Sequence, residues 1–199
     1  MNLYQDYQLK HGASVDNNII IKPLPIVALG CKILRAKTIP VESVDVAKDI
    51  IAKLKASMSP ISTAVGLSAP QINSNLSAFI MKNGRSDTII SVINPQILKR
   101  NDTMVTEEGC LSIPSVYGEV PERDKVIEVV FYDENLKRHR LKFDGFPSNI
   151  FQHEYDHLQG ILFIDRMTAD GRENIATQLA EIEQGKVQVH YDMIFSPIA

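Results

Sequence analysis

The stretch that decides the fold runs from Pro147 to Gly160 and reads PSNIFQHEYDHLQG. Pro147 and Ser148 are typical of a helix start, with Ser148 as a candidate cap, and Gly160 is typical of a helix end. We therefore predict a helix that continues through Leu158. Two histidines and a glutamate lie among its apolar residues, so we expect this helix to have a chemical role as well as a packing role.

The two histidines of this helix, His153 and His157, are four residues apart. On a helix such residues face the same way, with Cβ atoms roughly 5–6 Å apart, and both imidazoles can reach one metal ion. Glu154 is offset around the helix and is better placed to move a proton than to bind the ion. A chance pair of histidines gives the same short pattern. The apolar neighbours favour a metal, because a buried imidazole needs a polar partner.

A catalytic ion normally has three protein ligands and one open position. A downstream carboxylate, Glu173 or Glu181, would make the site similar to that of thermolysin-like zinc peptidases. The alternative is Cys110, which follows Gly109 upstream of the helix. Its thiolate would suit iron, cobalt, nickel or zinc. These residue patterns leave both alternatives open.

A further segment, residues 64–72, reads AVGLSAPQI. Its small residues permit the backbone of a ligand to approach closely, and Gln71 offers an amide donor. Taken alone it is an ordinary loop, because Gly and Pro are the commonest residues of turns and loops.

The remaining elements are predicted from periodicity. Apolar residues at helical spacing (Val44, Ala47, Ile51, Leu54 and Met58) predict a helix capped by Ser43. Short β-like runs cover 76–81, 88–93, 126–132 and 136–143, the last two joined by a turn at 133–135, and a final helix covers 172–184. Strands and helices without regular alternation indicate an α+β domain. Cys31 is interpreted as a small buried residue.

Length and composition limit the class of protein. At 199 residues with 44% hydrophobic residues, the chain suits one domain. We predict a polar extension at 1–18 and a single catalytic domain at 19–199. A net charge of −3 argues against nucleic acid as a partner. No apolar window approaches the roughly 18 residues of a membrane span, and the first residues lack a secretory signal, so we expect a cytoplasmic protein.

Three segments occur in order along the chain: GLSAPQ at 66–71, EGCLS at 108–112 and HEYDHL at 153–158. Together they resemble the signature motifs of the peptide deformylases, with similarity from about residue 26 to 166. The resemblance implies an α+β fold with small mixed or antiparallel sheets around a central metal-binding helix. It implies a hydrolase that removes the formyl group from the formylmethionine of new polypeptides, and hence N-formylmethionyl peptides and the vicinity of the ribosome as partners. The alternative to this enzyme, besides the zinc peptidase, is a non-catalytic paralogue that has the same fold and binds peptide N-termini.

The resemblance also implies roles for individual residues. One divalent ion, most often Fe2+ with Zn2+, Ni2+ or Co2+ as alternatives, would be held by Cys110, His153 and His157. Glu154 would be the general acid and base. The oxyanion donors would be the Gln71 side-chain amide and the Leu111 backbone N–H.

The substrate backbone would lie as an added strand against the Val65–Gly66 loop, and an apolar pocket beside the histidine helix would take the methionine. The substrate-binding positions implied are Val65, Gly66, Gly109 and Ile150. The chain departs from the family pattern at Ala64, Ser68, Tyr117, Glu122 and Asn149. These departures bear on substrate preference and efficiency more than on the reaction type.

Overall fold

A five-stranded antiparallel sheet is the main feature of the computed structural model, which describes residues 21–84 and 88–195. The predicted extension at 1–18 lies outside these residues. The strands follow the order β2 (Gly66–Ser68), β3 (Ala78–Lys82), β4 (Ile89–Cys110), β5 (Ile113–Tyr132) and β6 (Arg138–Asp144). A second sheet pairs β1 (Ile26–Val27) in parallel with β7 (Met193–Ile194).

Four α-helices accompany these sheets in the described part of the chain: α1 (Val44–Met58), α2 (Phe146–Leu158), α3 (Ala169–Asn174) and α4 (Ala176–Glu183). Short 3₁₀ turns cover Lys32–Arg35, Ala69–Ile72 and Phe163–Asp165. The combination confirms the predicted α+β class. Among the described residues, none of the helices has the length and apolar character needed to cross a membrane.

Strand β3 lies between α1 and α2 and is buried on both faces. Successive side chains of a strand point to opposite faces. Accordingly Ala78 and Ile80 join the apolar cluster that includes α1, and Phe79 and Met81 join the cluster that includes α2. The Phe79 ring meets that of Phe151 on α2 edge to face, with centroids 5.1 Å apart. This packing fixes α2, and therefore its histidines, against the sheet.

Helix α1 confirms the prediction made from its periodicity. The Ser43 side chain accepts a hydrogen bond from the Val46 N–H at 3.3 Å, as an N-cap residue does. The predicted stripe is buried except at Val44, which is 37% exposed. Ile50 is buried instead, so the buried face is centred further round the helix and Val44 lies at its margin.

Helix α2 begins at Phe146, and the prediction that Ser148 caps it is wrong. Ser148 lies within the helix, where its hydroxyl donates to the Asp124 carbonyl at 2.8 Å. Gly145 occupies the N-cap position with φ +63°, a conformation that glycine adopts without steric cost. Gly160 follows the other end with φ +75°, which confirms the predicted stop.

The predicted helix at 172–184 is two helices, α3 and α4. Ile175 separates them because its backbone (φ −107°, ψ 4°) departs from helical geometry. Leu179 and Ile182 are nevertheless buried on one face of α4, as the spacing predicted. The Thr168 side chain caps α3 by accepting from the Gly171 N–H at 3.1 Å.

Candidate active site

Three predicted metal ligands come together where β4 ends against α2. The ligand atoms of Cys110, His153 and His157 all lie within 4.8 Å of one another. Cys110 Sγ lies 3.3 Å from His157 Nε2. Glu173 and Glu181, the alternative third ligands, are exposed on α3 and α4 and do not belong to this group. The peptidase hypothesis therefore lacks its carboxylate ligand.

The surroundings of the two histidines fit a bound cation. Glu108 Oε2 lies 2.8 Å from His153 Nδ1, which leaves the other ring nitrogen for a metal. Burial opposes protonation of His153, yet hydrogen bonds to Cys110 and Glu108 raise its pKa well above the usual value. Negative groups thus face both sides of this ring. Burial and the neighbouring His153 charge lower the pKa of His157, which keeps it in the neutral, ligating form.

His157 presents its Nε2 to Cys110, so Nε2 is the ring nitrogen available to an ion shared with that thiol. Its Nδ1 is buried and has no hydrogen-bond partner among the described residues. A thiolate with two imidazoles is a donor set that suits divalent transition metals. The residues present therefore fit the ion that the sequence motifs imply.

A buried network of charged side chains contacts His153 through Glu108. Arg123 is 2% exposed and donates to Glu108 (Nε to Oε1, 2.7 Å) and to Asp156 (Nη1 to Oδ2, 2.6 Å). Arg166 donates to Asp156 from the other side. Burial alone would raise the pKa of Glu108, but the His153 and Arg123 contacts hold it at about 2. Glu108 is thus a carboxylate that fixes the His153 ring.

Arg123 reaches this place through a β-bulge. Met104 pairs with Arg123 and Thr106 with Val120, so β5 advances three residues while β4 advances two. The extra residue bends the strand and re-aims the side chains beside it. The sequence departs from the family pattern at Glu122, where an arginine is common. In this chain the neighbouring Arg123 makes the buried contacts.

Replacement of Arg123 by methionine is expected to lower the free energy of unfolding by about 3–5 kcal/mol, because it leaves Glu108 and Asp156 as buried charges with a partner removed. Metal affinity is expected to fall by about 10- to 100-fold as Glu108 loses its anchor. Denaturant unfolding and metal titration measure the two effects. The matched control is Arg100→Met, because Arg100 pairs with Asp124 at the surface and should change stability by less than about 1 kcal/mol. Equal effects of the two variants would contradict a special role for the buried network.

Glu154 lies beside the metal ligands and is 4% exposed. Its Oε2 is buried and has no hydrogen-bond partner among the described residues. Its carboxylate lies so close to Gly66 that a Cβ at that position would overlap Oε1 and come within 2.9 Å of Cδ. Burial raises the pKa of Glu154 to about 7, a shift that the His153 charge partly offsets. A carboxyl group in this state can both accept and release a proton near neutral pH.

Gln71 is held with its amide nitrogen towards Cys110. Ser68 anchors the other end of the side chain, since its N–H and its hydroxyl donate to Gln71 Oε1 at 2.9 and 3.0 Å. Gln71 Nε2 lies 3.4 Å from Cys110 Sγ and 3.3 Å from Ser112 Oγ. Ser68, one of the departures from the family pattern, therefore orients the predicted oxyanion donor.

A cleft of about 630 Å³ opens in front of these groups. Its walls include every predicted site residue except His157, namely Val65, Gly66, Gln71, Gly109, Cys110, Leu111, Ile150, His153 and Glu154. Tyr117, which departs from the family pattern, is 67% exposed at the same cleft. Asn149 also lines it and has a buried, unpartnered Oδ1 among the described residues.

Gly66, the first residue of strand β2, lines the cleft, and β2 is an edge of the five-stranded sheet. The Lys82 N–H donates to the Val65 carbonyl at 2.7 Å. Polar groups of successive strand residues point to opposite edges, so those of Gly66 point away from β3 towards the free edge. An extended peptide can pair there.

The residue patterns did not indicate the roles of Ser68, Glu108, Ser112, Arg123 and Asp156, nor that Tyr191 lines the cleft. The role of Glu108 could have been predicted, because a carboxylate near a candidate metal ligand often orients another ligand. The bulge that places Arg123 could have been predicted from Pro121, because proline within a strand marks a bulge or an edge. No pattern in the sequence indicated Tyr191.

Comparisons with known proteins place this arrangement in context. The family model described as "Polypeptide deformylase" matches residues 23–173. A peptide deformylase of Chlorobium phaeovibrioides is 35% identical over 176 residues, which cover 85% of this chain and 92% of that protein. Peptide deformylase 1B of Arabidopsis thaliana, named as chloroplastic/mitochondrial, is 35% identical over 170 residues, 81% of this chain and 60% of that protein. The solved Plasmodium falciparum peptide deformylase with inhibitor is 35% identical, with a TM-score of 0.72, and the match covers 80% of this chain and 99% of that one.

Proposed function

Since the chain belongs to the polypeptide deformylase family, and is therefore a metal-dependent hydrolase that removes N-terminal formyl groups from nascent polypeptides, we propose that the cleft between β2 and α2 is where it does so. The observation that carries this assignment is the convergence of Cys110, His153 and His157 beside the buried, unpartnered carboxylate of Glu154. This geometry supports the roles that we propose below for the individual residues.

Cys110, His153 and His157 would hold one divalent ion, which supplies Lewis-acid chemistry and makes hydroxide available near neutral pH. Glu108 and Arg123 keep the His153 ring oriented. Glu154 takes the proton from the attacking water and delivers it to the amine that departs from the formyl carbon. Its Oε2 has no hydrogen-bond partner among the described residues, so the carboxylate is free for both transfers.

The formyl oxygen gains negative charge as water attacks the carbonyl carbon. The Gln71 amide and the Leu111 N–H are the donors that we assign to this oxyanion. Ser68 supports the assignment for Gln71, because it binds the amide oxygen and so turns the NH2 group towards Cys110. A donor held in advance needs no reorganisation during the reaction.

Gln71→Ala is expected to lower kcat by about 10²–10³, the scale for loss of one oxyanion donor, with metal content unchanged. Steady-state kinetics with parallel metal analysis measure the effect, and Gln96→Ala, an exposed site on β4, serves as the matched control. A change confined to KM would instead mean that Gln71 only binds substrate.

The substrate's backbone is proposed to pair with the free edge at Val65 and Gly66, and its methionine to lie against Ile150 and Gly109. Both pairs line the same cleft as Glu154, and an extended peptide on an edge strand is an established recognition mode. Tyr117 and Asn149 would then tune the preference for residues after methionine.

The proposed function is tested by turnover of formyl-Met-Ala-Ser under anaerobic conditions with added ferrous iron. We expect release of formate, and no release from the same peptide when the N-terminus is acetylated in place of the formyl group. Binding of the formylated peptide without formate release would show a peptide-binding protein that has kept the fold.

Fe2+ is the ion we propose for this site, with Zn2+, Ni2+ or Co2+ able to replace it. Iron-loaded protein is expected to lose activity in air faster than nickel-loaded protein, because oxygen can oxidise the iron and then the Cys110 thiolate. Activity against time in air, with mass spectrometry of the peptide containing Cys110, measures this. Equal loss of activity in the two forms would contradict the proposal. An unmodified Cys110 in iron-loaded protein that has lost its activity would contradict it too.

The site of action is proposed to be the cytoplasm, near the ribosomes that release formylmethionyl chains. The support is the substrate itself, because nascent chains carry the formyl group first at the ribosome. Cell fractionation with separate ribosomal and organelle pools tests the proposal. Enrichment in an organelle would match the name of the Arabidopsis thaliana relative and overturn it.

A further inference from the structure

The C-terminal segment Gln188–Tyr191 forms part of the wall of the active-site cleft. It lies beyond residue 173, where the match to the family model ends. Asp192 and strand β7 come next in the chain and hold the segment in place, because the Asp192 and Ile194 carbonyls accept hydrogen bonds from the Ile26 and Ala28 N–H groups, each 2.8 Å long. The segment is therefore docked on the domain beside the proposed catalytic groups.

Tyr191 makes a direct polar contact between this segment and the site. Its hydroxyl donates to the Leu111 carbonyl at 2.8 Å. Leu111 lies in the turn between β4 and β5, directly after Cys110. A second bond, from the Leu29 N–H to the Ser112 carbonyl at 2.8 Å, fixes the same turn from another side. Two separate parts of the chain thus hold the residue whose N–H is assigned to the oxyanion.

The phenol is suited to this task. Tyr191 is partly buried, and burial together with the nearby Cys110 raises its pKa, so the hydroxyl keeps its proton and remains a donor throughout the neutral range. The ring packs against the apolar cluster that also contains Leu111 and Leu67. The hydrogen bond is therefore made in a sheltered place, where water competes for it weakly.

We propose that Tyr191 is a positioning residue for deformylation: it fixes the Leu111 turn so that the Leu111 N–H points at the developing oxyanion. This inference rests on the function proposed above. An oxyanion donor acts only when it is aimed at the place where charge develops, and small misplacement of such a group is costly. The docked C-terminal segment thereby becomes part of the active site.

The test is Tyr191→Phe, which removes the hydroxyl and keeps the ring. We expect kcat to fall by about 2- to 12-fold, the range equivalent to one net hydrogen bond, with KM and metal content unchanged. Tyr132→Phe is the matched control, because Tyr132 ends β5 outside the cleft. Unchanged kcat in Tyr191→Phe, or a rise in KM alone, would overturn the proposal.

A second measurement reports on the turn without catalysis. In zinc-loaded protein labelled with 15N-leucine, the Leu111 amide resonance is expected to shift or broaden in Tyr191→Phe and to stay in place in Tyr132→Phe. An unmoved Leu111 resonance would overturn the positioning role even if kcat fell. Failure of the wild-type protein to release formate would instead reject the proposed function, so the two failures are distinguishable.

Discussion

Glu154→Gln is expected to abolish most formate release, by about 10²–10⁴ in kcat, while the protein still binds its metal. The amide has the shape of the carboxyl group but cannot carry the proton that general acid–base catalysis requires. Because Glu154 is not in the group of ligand atoms formed by Cys110, His153 and His157, metal content should stay at the wild-type level. Steady-state kinetics and elemental analysis on the same preparation check both halves of the prediction.

The matched control for this variant is Glu119→Gln, an exposed carboxylate on β5, which should leave turnover unchanged. A Glu154→Gln protein with near-normal turnover would assign the proton transfer to another group. A Glu154→Gln protein that lost its metal would mean that Glu154 helps to hold the ion. The Glu154 carboxylate is buried against Gly66, which favours a rigid group that transfers the proton and does not bind the ion.

The sequence was sufficient to predict the helix that carries the chemistry. Its apolar spacing, its terminal glycine and the two histidines one turn apart are local features, and local features can be read from one segment. The same holds for α1 and its Ser43 cap. Two local predictions were wrong: Gly145 took the N-cap place expected for Ser148 in α2, and the single helix expected at 172–184 is divided at Ile175.

The long ribbon of β4 and β5 was predicted only in part. The residue pattern predicted strands at 88–93 and 126–132, whereas in the structure the first strand continues to Cys110 and the second begins at Ile113. Most of the added residues of β4 are exposed, so they lack the apolar alternation by which a half-buried strand is recognised. Their strand structure comes from pairing with each other, which no single segment reveals.

Long-range polar contacts were the hardest to predict. Arg123 meets Glu108 and Asp156 only because a bulge turns it inward, and Tyr191 reaches Leu111 from 80 residues away. Such contacts depend on the path of the chain in three dimensions. Motifs therefore identified the groups that react, but not the groups that hold them.

Cys110→Ala is expected to cost the protein its metal. The variant leaves two imidazoles where a catalytic ion normally has three protein ligands, and loss of a direct ligand should weaken binding by more than the roughly 10- to 100-fold that loss of a supporting partner costs. Elemental analysis after dialysis against a weak chelator measures the bound ion. Formate release should fall with it, and circular dichroism should show that the fold remains.

Cys31→Ala is the matched control, since Cys31 is the other of the two cysteines. Its partly buried thiol faces the Ile194 carbonyl at 3.8 Å and lies outside the ligand group, so its loss should leave one ion per chain. Retention of a full equivalent of metal by Cys110→Ala would contradict the ligand assignment, and would return the third ligand to a carboxylate. Loss of metal from Cys110→Ala alone, with Cys31→Ala intact, would assign the thiolate ligand to the end of β4.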